Sequence, residues 1–396
     1  MNILFYNDIP CNPKFGGTER VTDIIIKELL SRKHYNVVML CAKTNDSELL
    51  NYNFPAKVVS MPYDGGFRNK GNVDFYCNLL KSEQIDIVVN QRAGSPTMNK
   101  VLDINGIKTI SVIHASIDWW ERFMMQRINF LVKTPLGYLK YGIKQLIFPL
   151  YKIYKQYTFK KQSAAHYPEL LTKSAAVVVL SNNYIKDLKK FANDNSCPIL
   201  TIPNPNQYNE QVNTEKANTV LYVGRLTDSD KKPIRIIKVW QKLYKKHPDW
   251  NLQIVGDGPE RNGMENYVQR HHIERVSFEG AQTNVERYYQ KATFICLTSN
   301  LEGLPMVLLE GIYFGCIPFT FNSYSAASDI IDDNKNGCII TPFNINEYAK
   351  KLSDLMDNAI LRNRMAAEAR KKINDFSIKN VVNQWEDLFN SLVDNG

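Results

Sequence analysis

The sequence lacks paired cysteines at ligand spacing, long uninterrupted apolar runs and any acidic surplus. Its seven cysteines (11, 41, 77, 197, 296, 316, 338) are odd in number and widely scattered, with no CxxC and no Cys/His pair at zinc spacing. That excludes a disulfide scaffold or a zinc module and reads as buried thiols in a reducing compartment. The longest stretch free of charge, Gly311 to Ser328, is broken by Gly315, Pro318, Asn322 and several serines, so no membrane-spanning helix is expected. The opening MNILFYNDIP lacks the basic head, apolar core and small-residue cleavage site of an export signal. A cytoplasmic protein is expected, with room for peripheral binding at the cytoplasmic face of the inner membrane. Glycine and proline, 19 and 17 residues, are too ordinary for a fibrous or disordered chain.

What is present is an ordinary globular composition, 44% hydrophobic and 22% charged over 396 residues, long enough for two domains. Short apolar runs alternate with helical periodicity through both halves: NILFY, NVVML, DIVVN, TISVIH and AVVVLS, then TVLYVG, NLQIVG, RVSFEG, TFICLT and CIPFTF. Continuous rather than alternating apolar strands between helices predict α/β units whose parallel sheets are covered on both faces. The joint is expected near IPNPN and the polar stretch Gln207 to Asn218. The predicted division is 1–205, 206–376 and a last helix within 377–396, whose Val381, Val382, Trp385, Leu388, Phe389 and Leu392 share one face and need a docking surface.

The formal charge of +9 is concentrated. Between Trp119 and Lys173 there are ten basic residues (Arg122, Arg127, Lys133, Lys140, Lys144, Lys152, Lys155, Lys160, Lys161, Lys173) against Glu121 and Glu169, a net of +8. On a helix, Leu139, Ile143, Leu146, Ile147, Leu150, Ile153, Tyr154 and Tyr157 fall on one arc, with Lys133, Lys140, Lys144, Lys152 and Lys155 on another. Two readings stay open: a helical hairpin packed on its own domain with solvated lysines outside, or an interfacial helix that meets an anionic membrane surface. Nucleic acid is not expected as a partner, because no nucleic-acid-binding module accompanies the charge. Pro149 is expected to kink or break this helix.

In open parallel sheets ligands bind beyond the carboxyl ends of the strands, so the residues there are the informative ones. NILFY is followed by a polar loop closing on Gly16 and Gly17 at a helix start, either a plain tight loop or a place where backbone N–H groups approach an anion. The GxGxxG spacing of a dinucleotide site is absent. His114 directly follows TISVI, as a structural histidine or one facing a cleft. After TVLYVG come Arg225, Lys231 and Lys232, a solvated basic turn or a diphosphate clamp. The most specific element is LEGLPMVLLEG, with Glu302 and Glu310 eight residues apart. A helix starting near Pro305 places Glu302 before it, Glu310 one to two turns inside, and the amides of Gly303, Leu304, Met306 and Val307 at its positive end. A carboxylate so held suits ribose hydroxyls; the alternative is a capped amphipathic helix.

At these residues the sequence resembles the retaining glycosyltransferases of family 4 (group 1). The resemblance runs over nearly the whole chain: FGGTER, His114, IPNPN, VGRL with the following KKP, IVGDGPER, FEG and EGLPMVLLEG. It implies the GT-B fold, two facing Rossmann-like domains with a C-terminal helix crossing back to the N-terminal, acceptor-binding one. It further implies Arg225 and Lys231 on the donor diphosphate, bordered by Gly16 and Gly17, and Glu310 on the ribose. Glu302 and the backbone of Gly303, Leu304, Pro305, Met306 and Val307 would meet the sugar and distal phosphate, and His114 the transferred sugar, which makes Glu302 and His114 the catalytic assignments. Gly256 and the stretch from Gly280 to Asn284 would border the base. The spacing GRLTDSDK is one residue longer than the family's, so the choice of Lys231 over Lys232 is a judgement, and the Asp228-Ser229-Asp230 triplet admits a metal reading that the resemblance does not support.

The implied activity is sugar transfer, with retention, from a nucleoside-diphosphate sugar (UDP- or GDP-linked) to a glycan or lipid-linked glycan. Neither a cofactor nor a metal is required, and the setting is bacterial lipopolysaccharide or capsule assembly. The rivals are an inverting transferase or an epimerase on the same fold, and a catalytically silent sugar-nucleotide or lipid-binding subunit.

Overall fold

The computed structural model describes residues 1–13, 16–43, 52–94, 98–117, 135–208 and 215–394; for 105, 135–149 and 152 the backbone alone is described. The chain forms two compact units. The first comprises Met1–Ile117, Lys160–Gln207 and Phe376–Gly396, the second Asp118–Phe159 and Tyr208–Asp375.

The first unit is built on β1 (Asn2–Asn7), β2 (Asn36–Cys41), β3 (Lys57–Ser60), β4 (Ile87–Asn90), β5 (Lys108–Ile113), β6 (Ala176–Val179) and β7 (Ile199–Thr201). They lie in the order β3-β2-β1-β4-β5-β6-β7, and every pairing is parallel. The interior strands β4 and β6, IVVN and AVVV, are buried at every residue, as a sheet covered on both faces requires. The strand order reverses at β1, so the crevice between the ends of β1 and β4 is where such a sheet binds ligands. Helix Ile378–Asp394 buries Val381, Val382, Trp385, Leu388 and Phe389. It docks on the helix Gly17–Ser31 side of this unit, where Arg32 donates to Asn383 Oδ1 at 2.9 Å and pairs with Glu386.

The second unit carries β8 (Ala217–Val223), β9 (Asn251–Val255), β10 (Val276–Gly280), β11 (Ala292–Cys296), β12 (Ile317–Phe321) and β13 (Cys338–Ile340) in the order β10-β9-β8-β11-β12-β13, again all parallel. Trp240, Trp250, Phe294, Phe319 and Tyr348 fill its core. Here the order reverses at β8, which makes the ends of β8 and β11 the switch point.

Of the two outcomes expected at Pro149, a kink or a break, the break does not occur: helix Pro135–Lys173 runs 39 residues through it. A proline removes one hydrogen bond of the ladder, a local loss that a helix of this length absorbs. Glu121, Arg122, Arg127 and Lys133 of the basic segment lie outside the described residues, as do the side chains of Leu139, Lys140, Ile143, Lys144, Leu146, Ile147 and Lys152. Among the described residues no helix is long and apolar enough to cross a membrane.

Candidate functional site

In the second unit the loops after β8 and β11 are stitched into one structure. The backbone N–H of Asn300 donates to Asp230 O at 2.7 Å, and its side chain to Ser229 O at 3.3 Å. Thr298 Oγ1 donates to Lys232 O at 3.1 Å, while Arg235 reaches back to Thr298 O (3.0 Å) and Asn300 Oδ1 (2.6 Å). Thr298, Ser299 and Asn300 are buried, so their polar groups need these partners.

This frame holds two cations, Arg225 and Lys231, each on a carboxylate. Arg225, whose side chain is 74% exposed, is held by Asp230 Oδ2 at 3.2 Å. Asp230 Oδ1 accepts from Thr227 Oγ1 at 2.7 Å and Ser229 Oγ at 3.0 Å. Burial pushes the Asp230 carboxyl upward, but the Thr227 and Ser229 hydroxyls and the charges of Lys231 and Arg225 outweigh it and hold it below the usual range. Lys231 Nζ donates to both oxygens of Glu302, at 2.7 and 2.8 Å, and Ser299 Oγ donates to Glu302 Oε1 at 2.6 Å. Lys232 pairs instead with Asp228. Both lysines precede helix Ile234–Trp240, so Arg225, Lys231 and Lys232 all come from the loop after β8. Asp228 and Asp230 are thus engaged by hydroxyls and cations, and among the described residues no cluster of His, Cys, Asp and Glu is placed to hold a metal.

Helix Met306–Tyr313 starts after Pro305, whose extended ψ of 108° admits no earlier helical turn. Met306 and Val307 lie in its first turn, where an N–H has no intrahelical acceptor; Gly303 and Leu304 form the approach. Glu310 is 2% exposed, and its Oε2 accepts from Tyr289 Oη at 2.7 Å. Gly256 and Gly280 adjoin at the ends of β9 and β10, joined by Gly256 N–H to Gly280 O at 2.8 Å. Gly256 has φ 135°, and a side chain there would run into Gly224 O; only glycine lets the three strand ends draw together. Asn284 is exposed in the loop beyond them.

Gly16, Gly17 and His114 belong to the first unit. Gly16 and Gly17 begin helix Gly17–Ser31; a Cβ on Gly16 would strike Glu19 Oε2, whereas one on Gly17 would meet open space. His114 follows β5, and its Nε2 lies 2.5 Å from Gln91 Oε1. Burial first, then the Arg92 guanidinium, pull the imidazole down to about 4, so the ring is neutral near pH 7.

The sequence reading missed Ser299, Asn300, Gln91 and Tyr289. Gln91 stands directly after the run DIVVN, and Ser299 and Asn300 are the first two residues after TFICLT, where the strand-end rule that singled out His114 applies equally. Tyr289 lies in helix Glu286–Lys291 and carries no local signal; only the fold brings its hydroxyl to Glu310.

Residues 204–372 match the family model described as glycosyl transferases group 1. The chain is 34% identical over 203 residues to an uncharacterized glycosyltransferase of Haemophilus influenzae, covering 50% of this chain and 56% of that protein. It is 33% identical over 187 residues to the GalNAc-alpha-(1->4)-GalNAc-alpha-(1->3)-diNAcBac-PP-undecaprenol alpha-1,4-N-acetyl-D-galactosaminyltransferase of Campylobacter jejuni, covering 46% and 52%. The chain spans about half the length of these curated relatives. Its fold matches that of the lipopolysaccharide outer core galactosyltransferase WaaB in apo form, with a TM-score of 0.71, 19% identity and 99% of each chain covered. The two parallel-sheet units are therefore those of the GT-B class.

Proposed function

We propose that this protein is a family 4 glycosyltransferase that moves a sugar from a UDP- or GDP-sugar to a glycan or lipid-linked glycan, with retention, in bacterial lipopolysaccharide or capsule assembly. The observation that carries the reading is the pairing at the switch point of the second sheet: Arg225 on Asp230 and Lys231 on Glu302, in loops tied together by Asn300. Cations prearranged at a sheet's carboxyl edge suit a diphosphate leaving group, whose charge grows in the transition state. Arg225 and Lys231 take the diphosphate with the amides of Met306 and Val307, bordered by Gly16 and Gly17. Glu302 and the backbone of 303–305 take the sugar and distal phosphate, Glu310 the ribose, His114 the transferred sugar, and Gly256, Gly280 and Asn284 border the base. No cofactor enters: the departing phosphate oxygen accepts the acceptor hydroxyl's proton on the same face.

The test is a thermal-shift panel of UDP, GDP, ADP and TDP with and without EDTA, followed by NMR of the product's anomeric centre. A nucleotide at about 100 times its dissociation constant adds ~2.7 kcal/mol. A selective, EDTA-insensitive shift and a retained anomer are expected; no shift with any nucleotide, or an inverted product, overturns the reading.

The basic segment supports a second element of the proposal, contact with an anionic membrane surface at the cytoplasmic face. On helix Pro135–Lys173, Leu150, Ile153, Tyr154 and Tyr157 are 60–70% exposed, beside Lys155, Lys160 and Lys161. Apolar side chains in water flanked by lysines match a leaflet of anionic lipid. Co-sedimentation with anionic but not neutral vesicles is expected, and equal or no binding to both would refute it.

A further inference from the structure

We propose that Gln91 is a positioning residue that fixes the imidazole of His114 so that Nδ1 is presented, as an acceptor, to a hydroxyl of the transferred sugar. The sugar's part in this rests on the transferase reading above; the pairing of Gln91 with His114 does not.

β4 and β5 are parallel neighbours, with Asn90 beside Ser111. Gln91 and His114 are the first and first residues past their described ends, so the two side chains leave the same edge of the sheet. Gln91 is pinned by its backbone N–H to Tyr6 O at 3.0 Å, and it is 3% exposed. Its Oε1 lies 2.5 Å from His114 Nε2. An amide oxygen only accepts, so Nε2 carries the ring proton, and in a neutral imidazole the other nitrogen then holds a lone pair. Among the described residues His114 makes no other hydrogen bond.

The surroundings keep the ring neutral. Among the described residues the charged group that faces it is Arg92, from the loop after β4. Arg92 is itself paired to Asp8, from the loop after β1, at 2.7 Å, and Asp8 accepts from Tyr6 Oη at 2.9 Å. A cation beside the ring and burial above it both oppose a second ring proton. With Nε2 tied to Gln91, the ring offers a substrate one lone pair and no N–H.

The test begins with long-range ¹H–¹⁵N correlation NMR of the histidine rings, with His114 assigned by its loss in H114Q. The wild type is expected to show the Nε2–H tautomer at residue 114 and to stay neutral down to about pH 5. Q91E sets a carboxylate against Nε2 and is expected to raise the ring's titration to its ordinary value or above. Q91L is expected to release the tautomer. Turnover of Q91L is expected to fall by about 10–100-fold, the scale seen when a metal-ligating histidine loses the partner that orients it. Turnover of Q91E is expected to decline as pH drops below about 7, a limb the wild type lacks. These NMR readings need no sugar donor. An Nδ1–H ring, or a titration that Q91E and Q91L both leave in place, overturns the pairing even if the protein transfers sugar. A correct pairing in an active enzyme whose turnover and pH profile ignore both variants overturns the positioning role.

Discussion

Lys231 and Glu302, 71 residues apart in sequence, meet through both carboxylate oxygens at 2.7 and 2.8 Å. Each comes from the loop that leaves one of two adjacent strands, β8 and β11, and Ser299 fixes the carboxylate from behind. The pair links the proposed diphosphate cation to the proposed sugar contact, so a change at one is felt at the other. Glu302→Gln keeps the shape and removes the charge. It is expected to lower turnover by about 10²-fold while nucleotide binding, followed by thermal shift, is kept or strengthened as Lys231 is released. Normal turnover in Glu302→Ala with normal donor binding would remove Glu302 from the catalytic assignment.

Asp230 anchors Arg225, its Oδ2 3.2 Å from the guanidinium. Asp230→Asn retains the Thr227 and Ser229 bonds but weakens the hold on the guanidinium. UDP or GDP affinity is expected to drop roughly tenfold, equivalent to ~1.4 kcal/mol, with no change on adding EDTA. Calorimetric titration in the presence and absence of divalent ions checks this, and an affinity that depends on the ion would contradict the anchoring role.

Tyr289 donates to a carboxylate that is almost wholly buried. Tyr289→Phe leaves Glu310 short of a partner, which costs about 1–3 kcal/mol of stability. If Glu310 binds the ribose, the same variant raises the donor KM, and it does so less for a donor whose ribose lacks the hydroxyl concerned. Equal penalties for ribo- and deoxyribonucleotide donors would separate Tyr289 from nucleotide recognition.

The low affinity of His114 for a proton has a consequence for stability. The unfolded chain takes up a proton at this residue below about 6.5, whereas the folded chain resists it until about pH 4. Folding is therefore unpenalised by this group above about pH 6.5 and is progressively weakened as pH falls from there toward 4. Burial lowers His166 as well, so it adds a slope of the same sign. Chemical denaturation at pH 7 and pH 5 is expected to show a smaller loss for H114Q than for the wild type; identical losses would place the pH sensitivity elsewhere.

The central strands were legible because a parallel sheet covered on both faces leaves an unbroken apolar run in each of them. The strands that escaped the sequence reading, β3, β7 and β13, all stand at sheet edges. KVVS and ILT are partly exposed and CII is only three residues long. An edge strand pairs on one side and needs neither length nor continuous apolarity, so its pattern fades into the loops around it.

The site divided in the same way. Arg225, Lys231, Glu302, Glu310 and His114 could be singled out as candidates because strand ends and a helix start mark themselves locally, by the end of an apolar run and by a proline. The amino-acid sequence by itself determined two α/β units, the residues that leave their strands, and the start of the helix that bears Glu310. Tertiary structure alone decided that Asp230 serves Arg225, that Lys231 and not Lys232 meets Glu302, that Tyr289 completes Glu310 and that Gln91 orients His114. The reason is physical: strand ends are local events written in a few consecutive residues, whereas a buried charge or ring nitrogen is satisfied by whichever group the crossover connections bring alongside it, and no spacing along the chain records that choice.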